Sequence, residues 1–172
     1  GSSNDLYLTE DSGQTWSALG LEIEGRIRAF LRAPTAPERV YLVHAGGALS
    51  SRDGGRSFTP FSLGPPELEI RGTEFDLLAI HPNNPEVLFA AYATFPESQL
   101  LRSDDGGETW ASLLTLPDIP DSIAIDRQGE TLLLATPVMG LLRSSDNGST
   151  WDMLDPPIER GSIGCLTFDE DN

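Results

Sequence analysis

The sequence contains no lysine, a single cysteine and no long apolar run. All 11 basic residues are arginine. The chain of 172 residues also has 27 acidic residues, so its formal net charge is −16. Such a field repels phosphate backbones and anionic lipid surfaces, which argues against nucleic-acid binding. The lone Cys165 excludes an internal disulfide. No apolar run approaches the roughly 18 residues that cross a bilayer, which argues against membrane insertion.

Turn-forming residues are abundant instead. The chain has 17 glycines and 13 prolines, while 38% of its residues are hydrophobic. This composition supports a packed core and disfavours both disorder and a helical bundle.

One eight-residue pattern, [S/T]-x-D-x-G-x-[S/T]-[W/F], occurs four times, and its aspartates are 42, 52 and 41 residues apart. Aspartate and glycine in this arrangement favour a tight β-turn, because glycine supplies positive φ and aspartate accepts from backbone N–H groups. The aromatic residue is expected to anchor the returning strand by mostly burying its ring. We predict structural roles for Asp11, Gly13, Trp16, Asp53, Gly55, Phe58, Asp105, Gly107, Trp110, Asp146, Gly148 and Trp151.

A second, weaker repeat lies between these turns. Pro34 and Pro37 align with Pro82 and Pro85, and short apolar segments flank each pair. Each unit is therefore predicted to hold four short strands, A to D, with the proline-rich turn between A and B and the aspartate turn between C and D. Four-stranded units of about 40–45 residues are typical of propeller blades. The predicted order is a C–D hairpin, three complete blades and a final strand A at 164–168.

These turns resemble the Asp-boxes, or BNR repeats, of sialidases, sortilin-type receptors and photosystem II assembly factors. The resemblance spans residues 6–168, with 1–5 as a lead-in that resembles a cloning remnant and 169–172 as an acidic tail. It implies an all-β, partial β-propeller of four-stranded antiparallel blades with Asp-box turns between strands C and D. A small closed ring, in which the final strand A joins the first hairpin, is the alternative. We expect an extracellular or periplasmic bacterial protein whose export signal is not in this sequence.

Sialidase-like catalysis, which the resemblance makes one candidate, requires an arginine cluster, a tyrosine–glutamate pair and a Phe/Tyr-Arg-Ile-Pro string. The nearest string, at residues 25–28, reads Gly-Arg-Ile-Arg and lacks both the aromatic residue and the proline. The sequence therefore favours a non-catalytic binding module, and no catalytic residue is assigned. Two alternatives stay open: a fragment of a sialidase-like or glycoside-hydrolase-like propeller with incomplete catalytic residues, and a structural repeat module of a larger secreted or surface protein.

Metal binding by the box aspartates is the less favoured interpretation, because a calcium loop needs several carboxylates within a dozen residues. We therefore predict turn caps, no metal and no cofactor. His44 and His81 have no partner at ligand spacing, and Cys165 is expected to be an inert core residue. Arg102 and Arg143 hold equivalent positions, where we expect each to cover apolar surface and to pair with a neighbouring carboxylate.

The uneven spacing of the boxes predicts a binding face. The unit before Asp105 is ten residues longer than the unit before Asp53, with six extra residues assigned to the D–A connection at 64–74 and four to the B–C connection at 92–98. Both connections leave a blade on the face opposite the boxes, and insertions on one face are typical of binding. The predicted ligand is a protein or a carbohydrate, and open blade edges predict self-association. The candidate binding residues are Glu67, Glu69, Arg71, Glu74, Tyr92 and Phe95.

Overall fold

The computed structural model describes residues 3–65, 75–94, 96–155 and 163–169. Within these ranges the chain is all-β, which confirms the predicted fold class. It begins with two small antiparallel pairs, in which the first strand pairs with the fourth and the second with the third. These strands are β1 (Ser3–Asn4), β2 (Tyr7–Leu8), β3 (Ser17–Ala18) and β4 (Ile23–Glu24). The β2–β3 pair is the predicted C–D hairpin, whereas the β1–β4 pair was not predicted.

Three four-stranded antiparallel sheets follow, each with its strands in sequence order. Blade I consists of β5 (Ile27–Arg32), β6 (Val40–His44), β7 (Gly47–Ser51) and β8 (Thr59–Phe61). Blade II consists of β9 (Phe75–Ile80), β10 (Leu88–Thr94), β11 (Glu97–Ser103) and β12 (Ala111–Leu116). Blade III consists of β13 (Ser122–Ile125), β14 (Leu132–Thr136), β15 (Gly140–Ser144) and β16 (Asp152–Met153).

The apolar core lies between the blades. Since side chains alternate along a strand, a blade buries one face against the preceding blade and the other against the following blade. One cluster joins blades I and II, where Tyr41 and Leu101 are fully buried. A second cluster joins blades II and III, where Phe89, Leu100 and Leu134 are fully buried. Innermost strands of successive blades also contact each other, β5 with β9 and β9 with β13.

The four residues assigned to a B–C insertion are found in longer strands. Strands β10 and β11 have seven residues each, against five each in β6 and β7. Thr94 pairs with Glu97, as His44 pairs with Gly47 in blade I. The expected insertion at 92–98 is therefore wrong as a loop, because the extra residues continue the β-ladder. Of the D–A insertion at 64–74, residues 66–74 lie outside the described part of the chain.

The final strand A, expected at 164–168, is not formed. The segment lies beside β13 and advances in the same direction, because Ile163 N donates to Asp121 Oδ2 (3.2 Å) and Leu166 N donates to Ser122 Oγ (3.1 Å). Side-chain acceptors thus take the place of a backbone ladder. Cys165 is exposed here, so its expected burial is wrong. In the described ranges, no helix has the length and hydropathy needed to cross a membrane.

Candidate functional site

Each Asp-box closes on itself through its carboxylate and two hydroxyls. In blade II, Asp105 Oδ1 accepts from the backbone N of Thr109 (2.8 Å), and Asp105 Oδ2 accepts from the Thr109 hydroxyl (2.6 Å). The Ser103 hydroxyl donates to Asp105 Oδ1 and accepts from the backbone N of Gly107, both at 2.8 Å. The other three boxes repeat these contacts. The aspartate therefore caps its own turn.

These donors stabilise the ionised carboxylate. Hydrogen bonds from the hydroxyl and backbone N of Thr109 lower the pKa of Asp105 to about 2. The equivalent donors lower the pKa of Asp11 and Asp146 to about 2 and hold the pKa of Asp53 well below its usual range. Because a general acid or base needs a pKa near the working pH, these carboxylates are poorly suited to proton transfer at neutral pH.

The box aromatics differ in burial according to their neighbours. Trp110 is half-buried against the cluster between blades I and II, and its Nε1 donates to the carbonyl of Ser62 (2.9 Å). Trp151 is half-buried in the next cluster, and Phe58 is also half-buried. Trp16 is 60% exposed, so its expected burial is wrong. The described chain places no blade before the β2–β3 hairpin that could cover this ring.

The boxes also join successive blades. A Cβ atom added to Gly107 would lie 2.7 Å from the Phe61 ring of blade I. A Cβ atom added to Gly148 would lie 2.8 Å from Leu113 Cδ1 of blade II. The box backbone therefore rests directly on strand D of the preceding blade, and only glycine allows this approach.

We call the surface formed by the four boxes and the A–B turns (33–39, 81–87 and 126–131) the box face. Within a blade, the box amide of Gly54 donates to Glu38 O (2.9 Å), and that of Gly106 donates to Glu86 O (2.8 Å). Between blades I and II, Arg39 forms an ion pair with Glu86. Backbone groups on this face thus tie together the turns of one blade, and a charged pair links blades I and II.

Both histidines are held by backbone groups. His81 Nδ1 accepts from Asn83 N (3.2 Å), which leaves Nε2 to donate to Gly129 O (3.1 Å) on the A–B turn of blade III. Asn83 Nδ2 donates to two carbonyls of the same turn at 3.0 Å. His44 Nδ1 accepts from Gly46 N (3.2 Å). These contacts give both rings a structural role.

Arg102 and Arg143 have different environments despite their equivalent positions. Arg102 donates to Asp104 Oδ1 (2.9 Å) and, through Nη1, to the carbonyl of Asn147 in the box of blade III (2.8 Å). It therefore joins two blades. Arg143 is exposed on blade III, and no described blade follows it.

We call the opposite surface, formed by the connections at 19–26, 45–46, 117–121 and 137–139, the loop face. A D–A connection contacts the B–C connection that follows it: Val138 N donates to Asp118 Oδ2 (2.9 Å), and Ala45 N donates to Arg26 O (3.1 Å). The acidic side chains of this face are Glu22, Glu24, Asp118 and Asp121, and Arg26 is exposed beside the first two.

Of the six candidate binding residues, only Tyr92 is described. Glu67, Glu69, Arg71, Glu74 and Phe95 lie outside the described residues. Tyr92 is 4% exposed and packs in the cluster between blades I and II with Leu63 and Ala90. Burial also raises its pKa. Its side chain is therefore a core residue and not an exposed anchor, because the lengthened β10 carries it into the sheet.

The sequence did not indicate a groove of about 510 Å³ beside the loop face of blade I. Acidic and apolar groups line it together. Its lining includes Leu21, Glu22, Glu24, His44, Leu49 and Pro60. Glu22 and Glu24 of the first D–A connection were the sequence feature that could have indicated this groove. Among the described residues, no group of three or more His, Cys, Asp or Glu side chains could hold a metal ion.

The family model Sortilin-Vps10, described as sortilin, neurotensin receptor 3, matches residues 4–119. Among curated proteins, no sequence matches the chain significantly.

Several solved propellers share the fold. The GH74 xyloglucanase from Xanthomonas campestris has 25% identity and a TM-score of 0.58, over 74% of this chain and 20% of that one. The GH74 enzyme from Niastella koreensis has 18% identity and a TM-score of 0.67, over 90% and 22%. YCF48 from Cyanidioschyzon merolae has 21% identity and a TM-score of 0.59, over 84% and 43%. The chain therefore spans about a fifth of the GH74 enzymes and less than half of YCF48.

Proposed function

Because the chain belongs to the Sortilin-Vps10 family of β-propellers, we propose that it is a non-catalytic module that binds a protein or glycan ligand through its loop face. The observation that carries this proposal is that the two faces make different kinds of contact. On the box face, turns, carboxylates and arginines are used in contacts within and between blades. On the loop face of blade III, the contact between Val138 N and Asp118 Oδ2 joins two connections and no second blade, so such connections can vary more readily than the boxes.

Charge favours a cationic protein segment among the two ligand classes. On the box face, ion pairs with Arg39, Arg52, Arg56 and Arg102 neutralise part of the acidic charge. The loop face carries exposed Glu22 and Glu24, with exposed Arg26 beside them, in a chain of net charge −16. Complementary charge accelerates association and selects the partner. A structural relative supports a peptide ligand: YCF48, at 18% identity and a TM-score of 0.53, has been solved bound to a D1 peptide.

The test compares two double variants that remove the same number of charges. Glu22→Gln/Glu24→Gln alters the loop face, and Glu10→Gln/Glu108→Gln alters the box face. The probes are an arginine-rich peptide and an acidic peptide of equal length, measured by fluorescence anisotropy at low and moderate salt. We expect binding of the basic peptide only, weakened about tenfold by the loop-face variant and less than about twofold by the box-face variant.

Equal losses from both variants would contradict the proposal, because nonspecific attraction to a negative protein depends on net charge alone. Binding of the acidic peptide would do the same. The second variant to test is Phe95→Ala, which should weaken binding if the B–C connection of blade II takes part, whereas Arg71→Ala removes a positive charge and should not weaken binding of the basic peptide. A glycan array distinguishes the two ligand classes.

A second candidate is a fragment of a glycoside-hydrolase-like propeller, which the 25% identity to the Xanthomonas campestris xyloglucanase favours. Because its catalytic residues would be incomplete in this chain, this candidate predicts binding of xyloglucan without hydrolysis and no binding of the basic peptide. The third candidate is a structural repeat module, expected to bind neither probe. We further propose an extracellular or periplasmic location and self-association through open blade edges.

A further inference from the structure

The groove beside the loop face of blade I has two different walls. One wall is the D–A connection that follows the first hairpin, with Leu21, Glu22 and Glu24. The other wall is the outer half of blade I, where Leu49 of β7 and Pro60 of β8 pair across the sheet. Both walls belong to the described chain. The volume of about 510 Å³ lies within the range of about 300–1,000 Å³ that is typical of ligand sites.

The chain packs less tightly at this groove than at the next junction between blades. Leu21 and Leu49 line the groove and are only partly buried. At the junction between blades I and II, Leu63 and Leu101 hold the equivalent positions relative to the box aspartates, and both are buried. Strand β3 has only two residues and is followed by Gly20 at a φ of +64°, so the extended strand ends before Leu21. The side chains of Leu21 and Leu49 therefore stay available to a ligand.

The charge inside the groove is negative. Ile23 is fully buried between Glu22 and Glu24, so the alternation of an extended chain directs both carboxylates to the other side, where they line the groove. Arg26 is exposed nearby, but none of the lining residues is an arginine. The other titratable lining residue is His44. The groove thus combines two carboxylates with an apolar surface, which fits a side chain that has an aliphatic stem and a cationic end.

We propose that this groove is a recognition site for an arginine side chain of a protein partner. The aliphatic stem of the ligand arginine lies on Leu49 and Pro60. Its guanidinium donates to the carboxylates of Glu22 and Glu24. A guanidinium offers several N–H donors to carboxylates and stacks on aromatic rings such as that of Phe58, which also lines the groove, whereas a lysine ammonium is a point charge. This inference rests on the proposed function, because it names the side chain that the loop face selects.

The test separates the groove from the overall charge of the protein. Pro60→Arg gives the groove an arginine of its own at an exposed position, and Ser145→Arg adds the same charge to an exposed residue of the blade III box. Leu49→Asn removes apolar contact without changing the charge. The probes are the arginine-rich peptide and a peptide with lysine at each arginine position, both measured by fluorescence anisotropy.

We expect the wild type to bind the arginine peptide about fivefold more tightly than the lysine peptide. Pro60→Arg and Leu49→Asn should each reduce this preference to less than about twofold, because both remove the fit of the stem and guanidinium. Ser145→Arg is the matched control and should keep the preference, since its charge lies on the other face.

Circular dichroism establishes that each variant is folded. Equal affinities of the wild type for the two peptides would overturn this inference. So would an arginine preference that Pro60→Arg and Leu49→Asn leave unchanged while Glu22→Gln/Glu24→Gln weakens binding; the proposed function would then stand without the groove. Absence of binding of both peptides by the wild type would overturn the inference together with the proposed function.

Discussion

The contact between the box glycine and strand D of the preceding blade allows a specific prediction at Gly107. An added Cβ would lie 2.7 and 2.9 Å from two carbons of the Phe61 ring, at a backbone φ of +96°. An L side chain in the left-handed region costs about 1–2 kcal/mol. Overpacking adds about 1–3 kcal/mol. We therefore expect Gly107→Ala to lower the free energy of unfolding by about 2–5 kcal/mol.

The same substitution in blade I isolates the contribution of the contact between blades. Gly55 occupies the equivalent box position at φ +92°, but its nearest neighbours are Phe58 atoms of its own box at 3.8 and 3.9 Å. Gly55→Ala should therefore show only the backbone cost of about 1–2 kcal/mol. Gly148→Ala should fall between the two, because its close contact is the flexible end of Leu113 at 2.8 Å.

Urea unfolding, followed by far-ultraviolet circular dichroism, measures the three differences in free energy. A double-mutant cycle with Phe61→Leu adds the decisive control, because a smaller side chain should relieve part of the Gly107→Ala loss. Equal losses at Gly55 and Gly107 would refute the proposed joint between blades. A cycle without coupling between Gly107 and Phe61 would refute it as well.

Three further predictions concern the boxes. Trp110→Ala should lower the free energy of unfolding by about 3 kcal/mol, the lower end for large aromatics, because the ring is half-buried. Trp16 is exposed, so Trp16→Ala should change this free energy by less than about 0.5 kcal/mol. Urea unfolding measures both. Folding lowers the pKa of the Asp146 carboxyl from 3.8 to about 2, so its stabilisation of the fold is complete above pH 3.8 and is lost as the pH falls through 2. An acid titration followed by circular dichroism should show this loss, which should be less steep in Asp146→Asn. Asp105→Ala should cost about 1–2 kcal/mol through unpaired turn donors, and thermal melting of the wild type should not respond to calcium; a calcium-dependent melting temperature that vanishes in this variant would contradict the turn-cap role.

The elements that the sequence predicted well depend on local chemistry. The box turns follow from glycine's positive φ and from the acceptor groups of aspartate, both of which act within eight residues. Alternating or continuous apolar segments on each side then predict the strands, and the regular period predicts the blades. These signals need no knowledge of distant contacts.

The parts that were predicted wrongly depend on neighbours or on strand length. Four extra residues between boxes fit either a longer loop or a longer hairpin, and the apolar Tyr92 is compatible with both. Trp16 and Trp110 have the same local sequence pattern, yet only Trp110 has a preceding blade to cover it. Cys165 was expected to be buried in a core. Its segment does not form the expected strand, and the side chain is exposed. Burial is thus a property of the array, whereas the turn is a property of the motif.

The dual use of the box supports the proposal that a ligand binds the opposite face. Each box closes its own turn through its aspartate, and the boxes of blades II and III also present glycine to the blade before them. Replacing either residue for the sake of a ligand would therefore weaken a turn or open a joint. The loop-face connections at 117–121 and 137–139 contact each other within blade III, through groups such as Asp118 and Val138. Their side chains can change to suit a ligand while the joints between blades keep their packing.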